Sequence, residues 1–297
     1  MKNLYRLPIV AGIIILLLSS SASGQGKKRK LPKFNKNKES NVFLKKQWWL
    51  GFKAGANLTS AVVTKPYSAI SPTNYPDAQT DKKYDGYSKV GTQATLEVTF
   101  YFSGLSLSLQ PTYRNNRFTY ENEYHWADGE NPNNRLDLKY VQEQSVDYLD
   151  IPLIAKYEFS KNKISPYVQL GIYTSRLIGA TKSVDVSGVD YASGGTNEFK
   201  DETIIVGASD LFARNHWGFL GGLGVYYNLG NVRLNAELMM KGSSSNITST
   251  KNRFSSGALS GVGDTMDDMK LNNISFTIGC LFPLRFLGKS FQSVERN

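Results

Sequence analysis

The sequence predicts an all-β chain, an eight-stranded antiparallel transmembrane β-barrel with short periplasmic turns and long extracellular loops. Three observations predict it. From residue 47 onward, stretch after stretch alternates apolar residues with polar or small ones, the period-two signature of a strand with two unlike faces. The connections between these stretches alternate between short and long, as the two ends of an outer-membrane barrel do. The chain also opens with the pattern of a secretory signal.

That signal is built in the usual three parts. Lys2 and Arg6 precede the apolar run Leu7 to Leu18, and small residues Ser19 to Gly24 follow. Residues 1–24 are therefore expected to be a signal peptide, with Ala22 and Gly24 at the −3 and −1 positions and Gln25 opening the mature chain. The run is shorter than the roughly 20 residues a helical bilayer span requires. No cysteine stands at its small-residue end, which argues against a lipid anchor, and no later apolar run is long enough for a spanning helix.

The net charge of +10 is unevenly placed. Residues 1–24 contribute +2, and residues 25–46 contribute +8, nine Lys and Arg against Glu39. Residues 47–297 then hold 24 basic and 24 acidic side chains. The basicity belongs to a flexible periplasmic arm, residues 25–46, which also carries Pro32 and several Asn. No nucleic-acid partner is expected. The single cysteine, Cys280, excludes an intrachain disulfide and a cysteine-based zinc site.

Eight alternating stretches follow in order, spanning a barrel domain of residues 47–287. In Trp48–Thr59, Trp48, Leu50, Phe52, Ala54, Ala56 and Leu58 oppose Trp49, Gly51, Lys53, Gly55, Asn57 and Thr59. Val90, Ala94, Leu96, Val98, Phe100 and Phe102 oppose Gln93, Thr95, Glu97 and Thr99. Leu105 to Tyr113 and Leu149 to Phe159 split in the same way, as do Tyr167 to Tyr173, Trp217 to Asn228, Val232 to Lys241 and Asn273 to Arg285. In each the apolar set is expected to face lipid and the polar set the lumen. Residues 288–297 form a periplasmic C-terminal tail.

Short turns are expected at Ser103-Gly104, Ser160 to Lys163 and Gly230-Asn231, and long polar loops at 60–87, 115–144, 179–213 and 243–270. An even strand number brings both barrel ends to the periplasmic side. Trp48, Phe102, Phe159, Tyr167, Tyr227 and Phe286 fall at the periplasmic strand ends, and Tyr113, Tyr148 and Trp217 near the opposite ends, as two aromatic girdles. Within the third loop, Val184, Val186 and Val189 face Thr203 to Val206 across Gly194-Gly195, an outer hairpin extended beyond the membrane.

Candidate chemistry is sparse. Lys53, Glu97, Arg114, Asp150, Lys156, Glu158, Arg233, Glu237, Lys241 and Arg285 are expected to point inward and pair as a structural plug, since an eight-stranded interior is just filled by side chains. Gly218, Gly221, Gly222 and Gly224 lie inside a strand and not in a strand–turn–helix, so they make room in a narrow lumen and do not cradle phosphate. His125 and His216, both near the outer rim, are expected to be solvated or interfacial, with no nucleophile motif beside them. Asp264, Asp267 and Asp268 lack the spacing of a calcium loop and read as a solvated acidic loop, or one bridged to lipopolysaccharide by divalent cations. No catalytic, cofactor-binding or metal-ligating residue is expected, and no cofactor.

Several segments resemble the PorT-like outer-membrane β-barrel family. They are Leu50 to Thr59 with its Gly-x-Lys-x-Gly-x-Asn pattern, Tyr148-Leu-Asp-Ile-Pro152-Leu-Ile-Ala-Lys156-Tyr, Ser165-Pro-Tyr-Val-Gln-Leu-Gly171, Gly218 to Tyr227 and Ala236-Glu-Leu. The resemblance spans about residues 48–286. It implies a small outer-membrane barrel, some members of the family serving type IX secretion in gram-negative bacteria, and it carries no catalytic motif. The long basic arm and the extended third loop depart from it. The expected function is a non-enzymatic scaffold or binding component of a secretion or envelope assembly. Its partners would be outer-membrane lipid, lipopolysaccharide and, through the arm, secretion-system or periplasmic proteins. A lipid-modifying rim enzyme and a narrow channel are the alternatives.

Overall fold

The computed structural model describes residues 46–67, 82–131, 133–160, 162–192, 197–229, 232–253 and 265–284. Among them 11 strand segments form one antiparallel sheet: β1 (Lys46–Lys65), β2 (Lys83–Asp85), β3 (Val90–Phe102), β4 (Leu105–Leu109), β5 (Thr112–Ala127), β6 (Arg135–Glu158), β7 (Ile164–Asp190), β8 (Asn197–Gly207), β9 (Asn215–Asn228), β10 (Arg233–Ser243) and β11 (Asp268–Pro283). The signal segment 1–24, arm residues 25–45, Gly194-Gly195, Gly230-Asn231, Asp264, Arg285, Phe286 and the tail 288–297 lie outside the described residues. Lys46, expected to end the arm, instead opens β1 opposite Phe102.

The sheet closes on itself. β1 pairs with β3 on one side and β11 on the other, and the ring continues through β4 and β5, β6, β7, β9 and β10 back to β11. β4 and β5 are one wall interrupted at Gln110-Pro111, where proline has no N–H to give. The Pro111 carbonyl still accepts from Leu96 N at 2.9 Å, and Gln110 N donates to the Pro152 carbonyl at 3.2 Å. Eight walls result, and among the described residues each is paired with a neighbour on both sides, as hydrocarbon demands, where an unpaired backbone group would cost several kcal/mol. β2 and β8 are edge additions on β5 and β7.

The alternation resolves as expected. Leu96, Leu107, Leu170, Ile172, Phe219, Leu223, Phe276 and Ile278 are exposed, while their neighbours in sequence Thr95, Ser106, Gln169, Ser275 and Thr277 are buried. Trp48, Phe102, Phe159 and Tyr227 mark one edge of this apolar belt and Tyr113, Leu149 and Trp217 the other. At the short-turn end, Ser103 and Gly104 take φ of 52° and 100°, the left-handed pair that lets a two-residue turn follow the strand twist.

Two expected girdle members are elsewhere. Tyr167 and Tyr148 are 1% and 0% exposed and point into the barrel. Their height is that of an aromatic belt, but period two puts Tyr167 on the face of buried Gln169, and Tyr148 on that of buried Val146 and Asp150.

The larger correction concerns the loops. Segment 115–144, expected as a long polar loop, is mostly strand: β5 and β6 stay paired from Thr112↔Asp150 out to Ala127↔Arg135. Much of 179–213 is strand as well. The third hairpin extends as read from its valines, with Val184 opposite Ile204 and Asp185 opposite Thr203. The sheet thus stands roughly 40 Å beyond the belt at about 3.4 Å per residue. Outside lipid a strand needs no apolar face, so the alternation fades. Cross-strand ion pairs accompany the ladder instead, with Lys139 on Glu121 at 2.8 Å, His125 on Asp137 at 3.0 Å, and Arg117 on Glu143.

Candidate functional site in the lumen and at the long-hairpin rim

The lumen is built in layers. Nearest the short turns, Arg233 on β10 bonds Glu158 on β6 at 2.9 Å. Its guanidinium lies over the rings of Trp49, Tyr101 and Tyr226 at 4.6, 5.2 and 5.2 Å. The next layer is a square of alternating charge. Lys53 contacts Glu97 at 3.0 Å and Glu237 at 2.6 Å, and Lys156 contacts the same two at 2.8 and 3.0 Å. All four are at most 3% exposed. Tyr167 donates to Glu237 at 2.5 Å, Lys156 donates to the Tyr226 hydroxyl at 3.2 Å, and Lys53 donates to Gln110 at 2.7 Å. The square is neutral, and its members reach it from β1, β3, β6 and β10, so side chains of opposite walls touch and fill the section.

A second charged layer holds Asp150 between Arg114 at 3.0 Å and Lys241 at 3.1 Å, with Ser175 donating at 2.6 Å. His216 faces this region, against the rings of Tyr148 and Tyr173 at 4.5 and 6.1 Å. It is 3% exposed, and both ring nitrogens lack a hydrogen-bond partner among the described residues. The expectation of a solvated or interfacial His216 is therefore wrong. As the residue before Trp217 it takes the opposite face, and Trp217 is the one at the interface. Further along come amides: Asn273 donates to Asn57 at 3.0 Å and to Thr59 at 2.9 Å, and Thr59 donates to Asn116 at 3.2 Å.

Above the amides the barrel is capped. Inward side chains Phe118, Val146 and Ala180 meet Leu211, Phe212, Ile247 and Met266 from the connecting segments in one buried apolar cluster. Sequence reasoning missed this cap, since its residues are scattered through segments read as polar loops. Asp267, expected in a solvated acidic loop, is 2% exposed and anchors the cap. It accepts from Tyr84 at 2.7 Å, from the Tyr67 N–H at 2.7 Å and from Lys82 at 3.1 Å. Asp268 is taken by Arg253 and by Asn246 at 2.7 Å. Folding has used these carboxylates as staples, and among the described residues no group of three or more His, Cys, Asp or Glu is placed to hold a metal ion.

The glycines make room as expected, with one exception. A Cβ on Gly224 would sit 2.3 Å from the Tyr167 ring, one on Gly222 would sit 3.3 Å from the Gln169 amide, and one on Gly218 would sit 2.8 Å from the Tyr173 hydroxyl. Gly221 faces the other way, toward lipid-exposed Leu170. His125 is solvated as expected, on the exposed outer sheet, where Asp137 hydrogen-bonds it and raises its pKa. It lies 11 positions beyond Arg114 on β5, roughly 35 Å away along the strand. The two histidines therefore do not meet in one site.

Known proteins bear on this architecture as follows. No curated protein matches the chain. Among solved structures the chain is similar to the Neisserial surface protein A, at 17% identity and a TM-score of 0.32 over 78% of this chain and 96% of that one. It is similar to the outer membrane protein OprG from Pseudomonas aeruginosa, at 13% identity and a TM-score of 0.38 over 80% and 97%. It is also similar to Ail, the attachment invasion locus protein of Yersinia pestis, at 10% identity and a TM-score of 0.29 over 80% and 99%. The family model described as "Outer membrane protein beta-barrel domain" matches residues 25–285. The chain belongs to this family of outer-membrane β-barrel proteins.

Proposed function

We propose that the protein is a non-enzymatic scaffold or binding component of PorT-like type, serving a type IX secretion apparatus or another envelope assembly. The observation that carries this reading is the division of the molecule: a lumen filled by paired charges and capped by apolar side chains, beneath a sheet that stands far outside the belt. Such a barrel offers little to conduct and much to hold. The sequence resemblance supports the secretion setting.

In this reading residues 1–24 direct export, both ends of the barrel face the periplasm, and the long hairpins face the exterior within a leaflet of lipopolysaccharide. The basic arm 25–46 leads in sequence into β1, which carries exposed Trp48 at the short-turn edge, and is the part that meets secretion-system or periplasmic proteins.

The test is co-purification of the tagged full chain in gentle detergent, with mass spectrometry of what accompanies it. Stoichiometric recovery of secretion-system or periplasmic proteins is expected, lost on deleting residues 27–46. Recovery as a lone monomer overturns the reading. Discrete conductance in planar bilayers would favour a channel. Lipid turnover abolished by His125→Ala with His216→Ala would favour an enzyme.

A further inference from the structure

At the long-hairpin edge of the belt, on the outside of the wall, the structure holds a cleft of about 680 Å³ between the middle of β7, the segment after β8 and the segment after β10. Three cations line it, Arg176, Arg214 and Lys251. None makes an ion pair among the described residues, in a protein whose other buried and rim charges are mostly matched. The lining carboxylate, Asp210, forms no ion pair with any of the three.

The walls are fixed by backbone bonds. Leu177 N donates to the Arg214 carbonyl at 2.8 Å, Ala213 N to Ile247 at 2.7 Å, and Ser249 N to Leu211 at 2.8 Å. The Asn252 amide bonds the Asp210 carbonyl at 3.2 Å. Arg176 points outward, because Ser175 and Tyr173 take the lumen face. Its depth is set by register: it pairs with lipid-facing Leu149 on β6 and with Asn215 on β9, two positions beyond the level of Trp217. The ladder is irregular here, and Ile178, left between paired Leu177 and Gly179, is 57% exposed beside the cleft. Trp217 is 51% exposed on the same side. An exposed Trp marks the membrane–water interface, so the three cations stand at headgroup height with apolar side chains just below.

We infer that this cleft binds the phosphorylated headgroup of an outer-leaflet glycolipid of the lipid A type. Arg176 and Arg214 would grip phosphate oxygens through their paired N–H groups, Lys251 would add a point charge, and the acyl chains would run down the wall past Trp217 and Ile172, both exposed on the belt side of Arg176. The volume falls in the range of about 300–1,000 Å³ typical of ligand clefts. The inference rests on the chain's place in the outer membrane and on the long hairpins facing outward, as proposed above, and not on the scaffold role, so a failed co-purification leaves it standing.

The experiment uses the full-length barrel in neutral detergent, titrated with bisphosphorylated lipid A, with its dephosphorylated form and with pyrophosphate, and read by native mass spectrometry. Bisphosphorylated lipid A should bind in a salt-sensitive way, and Arg176→Gln with Arg214→Gln and Lys251→Gln should weaken it by about tenfold or more. A control removing Lys89, Arg135 and Lys139 from the outer sheet should leave it unchanged. Equal binding of the dephosphorylated lipid, or an unchanged triple variant, overturns the proposal. Pyrophosphate binding as tightly as lipid A overturns the lipid assignment in favour of a free phosphate compound. All three residues are exposed, so folding should survive; the heat-dependent gel shift verifies this, and single Arg176→Gln and Arg214→Gln variants replace the triple one if it fails.

Discussion

The charge square gives the sharpest prediction. Glu237→Gln keeps size and hydrogen-bonding atoms but removes one of two negative charges facing Lys53 and Lys156. The contacts at 2.6 and 3.0 Å are each worth roughly 6 kcal/mol gross at an effective dielectric near 20. Most of that is offset because a carboxylate no longer has to be desolvated. What remains is one uncompensated positive charge shared by two buried lysines, a cost of about 3–5 kcal/mol. Urea unfolding in lipid vesicles, followed by tryptophan fluorescence and by the gel shift of unboiled samples, measures it. Glu237→Gln combined with Lys53→Met restores neutrality around Lys156 and Glu97 and should recover at least half of the loss. A single variant within about 0.5 kcal/mol of the parent, or a double variant no better than the single one, would refute the argument that charge balance holds the lumen together.

Three further outcomes follow from the same structure. Gly224→Ala drives a methyl into the Tyr167 ring and should cost about 1–3 kcal/mol, with the penalty shrinking in a Tyr167→Ala background, as measured by the same unfolding assay. Leu170→Arg, on the lipid face of β7, should cost about 2–4 kcal/mol in vesicles, whereas Ile205→Arg, equally exposed but beyond the belt, should stay within about 0.5 kcal/mol; equal effects would contradict the placement of the belt. The bond from Asp137 raises the pKa of His125 in the folded state. Its contribution to the hairpin tip is therefore complete below the free-histidine value and is lost as pH rises through the raised one. Protease nicking within 128–134 should increase between about pH 6 and 8, and His125→Ala should remove that dependence.

Much of the barrel was legible because lipid enforces a strict rule. A residue such as Leu107 or Ile278 cannot share a face with Ser106 or Thr277, and the alternation records this along every wall. Lumen charges were legible for the same reason: Lys53, Glu97 and Glu237 stand at polar positions of apolar stretches. The rule lapses beyond the belt. There β5 and β6 alternate polar with polar, so Glu121, Glu123 and Lys139 read as loop although they form a ladder. The cap was hidden differently, since Phe118, Leu211, Ile247 and Met266 meet only through tertiary packing. His216 and Tyr148 show that height along a strand does not settle which way a ring points; counting parity from Trp217 or Asp150 does.

The long ladder between β6 and β7, irregular only at Ile178, has a mechanical consequence. The two strands are paired from Glu158↔Tyr167 near the short turns to Leu136↔Asp190 at the far tip, with one extra residue, Ile178, accommodated on the way. A load applied at that tip along the strand axis is met in shear, with the rungs of the ladder sharing it, and must drag lipid-facing side chains and the charge square with it. The same load applied across the strands would open the rungs one at a time. The molecule is stiff to a pull directed along the strands away from the belt and compliant to a sideways peel, which makes the direction of tension, and not only its size, a quantity to which anything gripping this hairpin is subject.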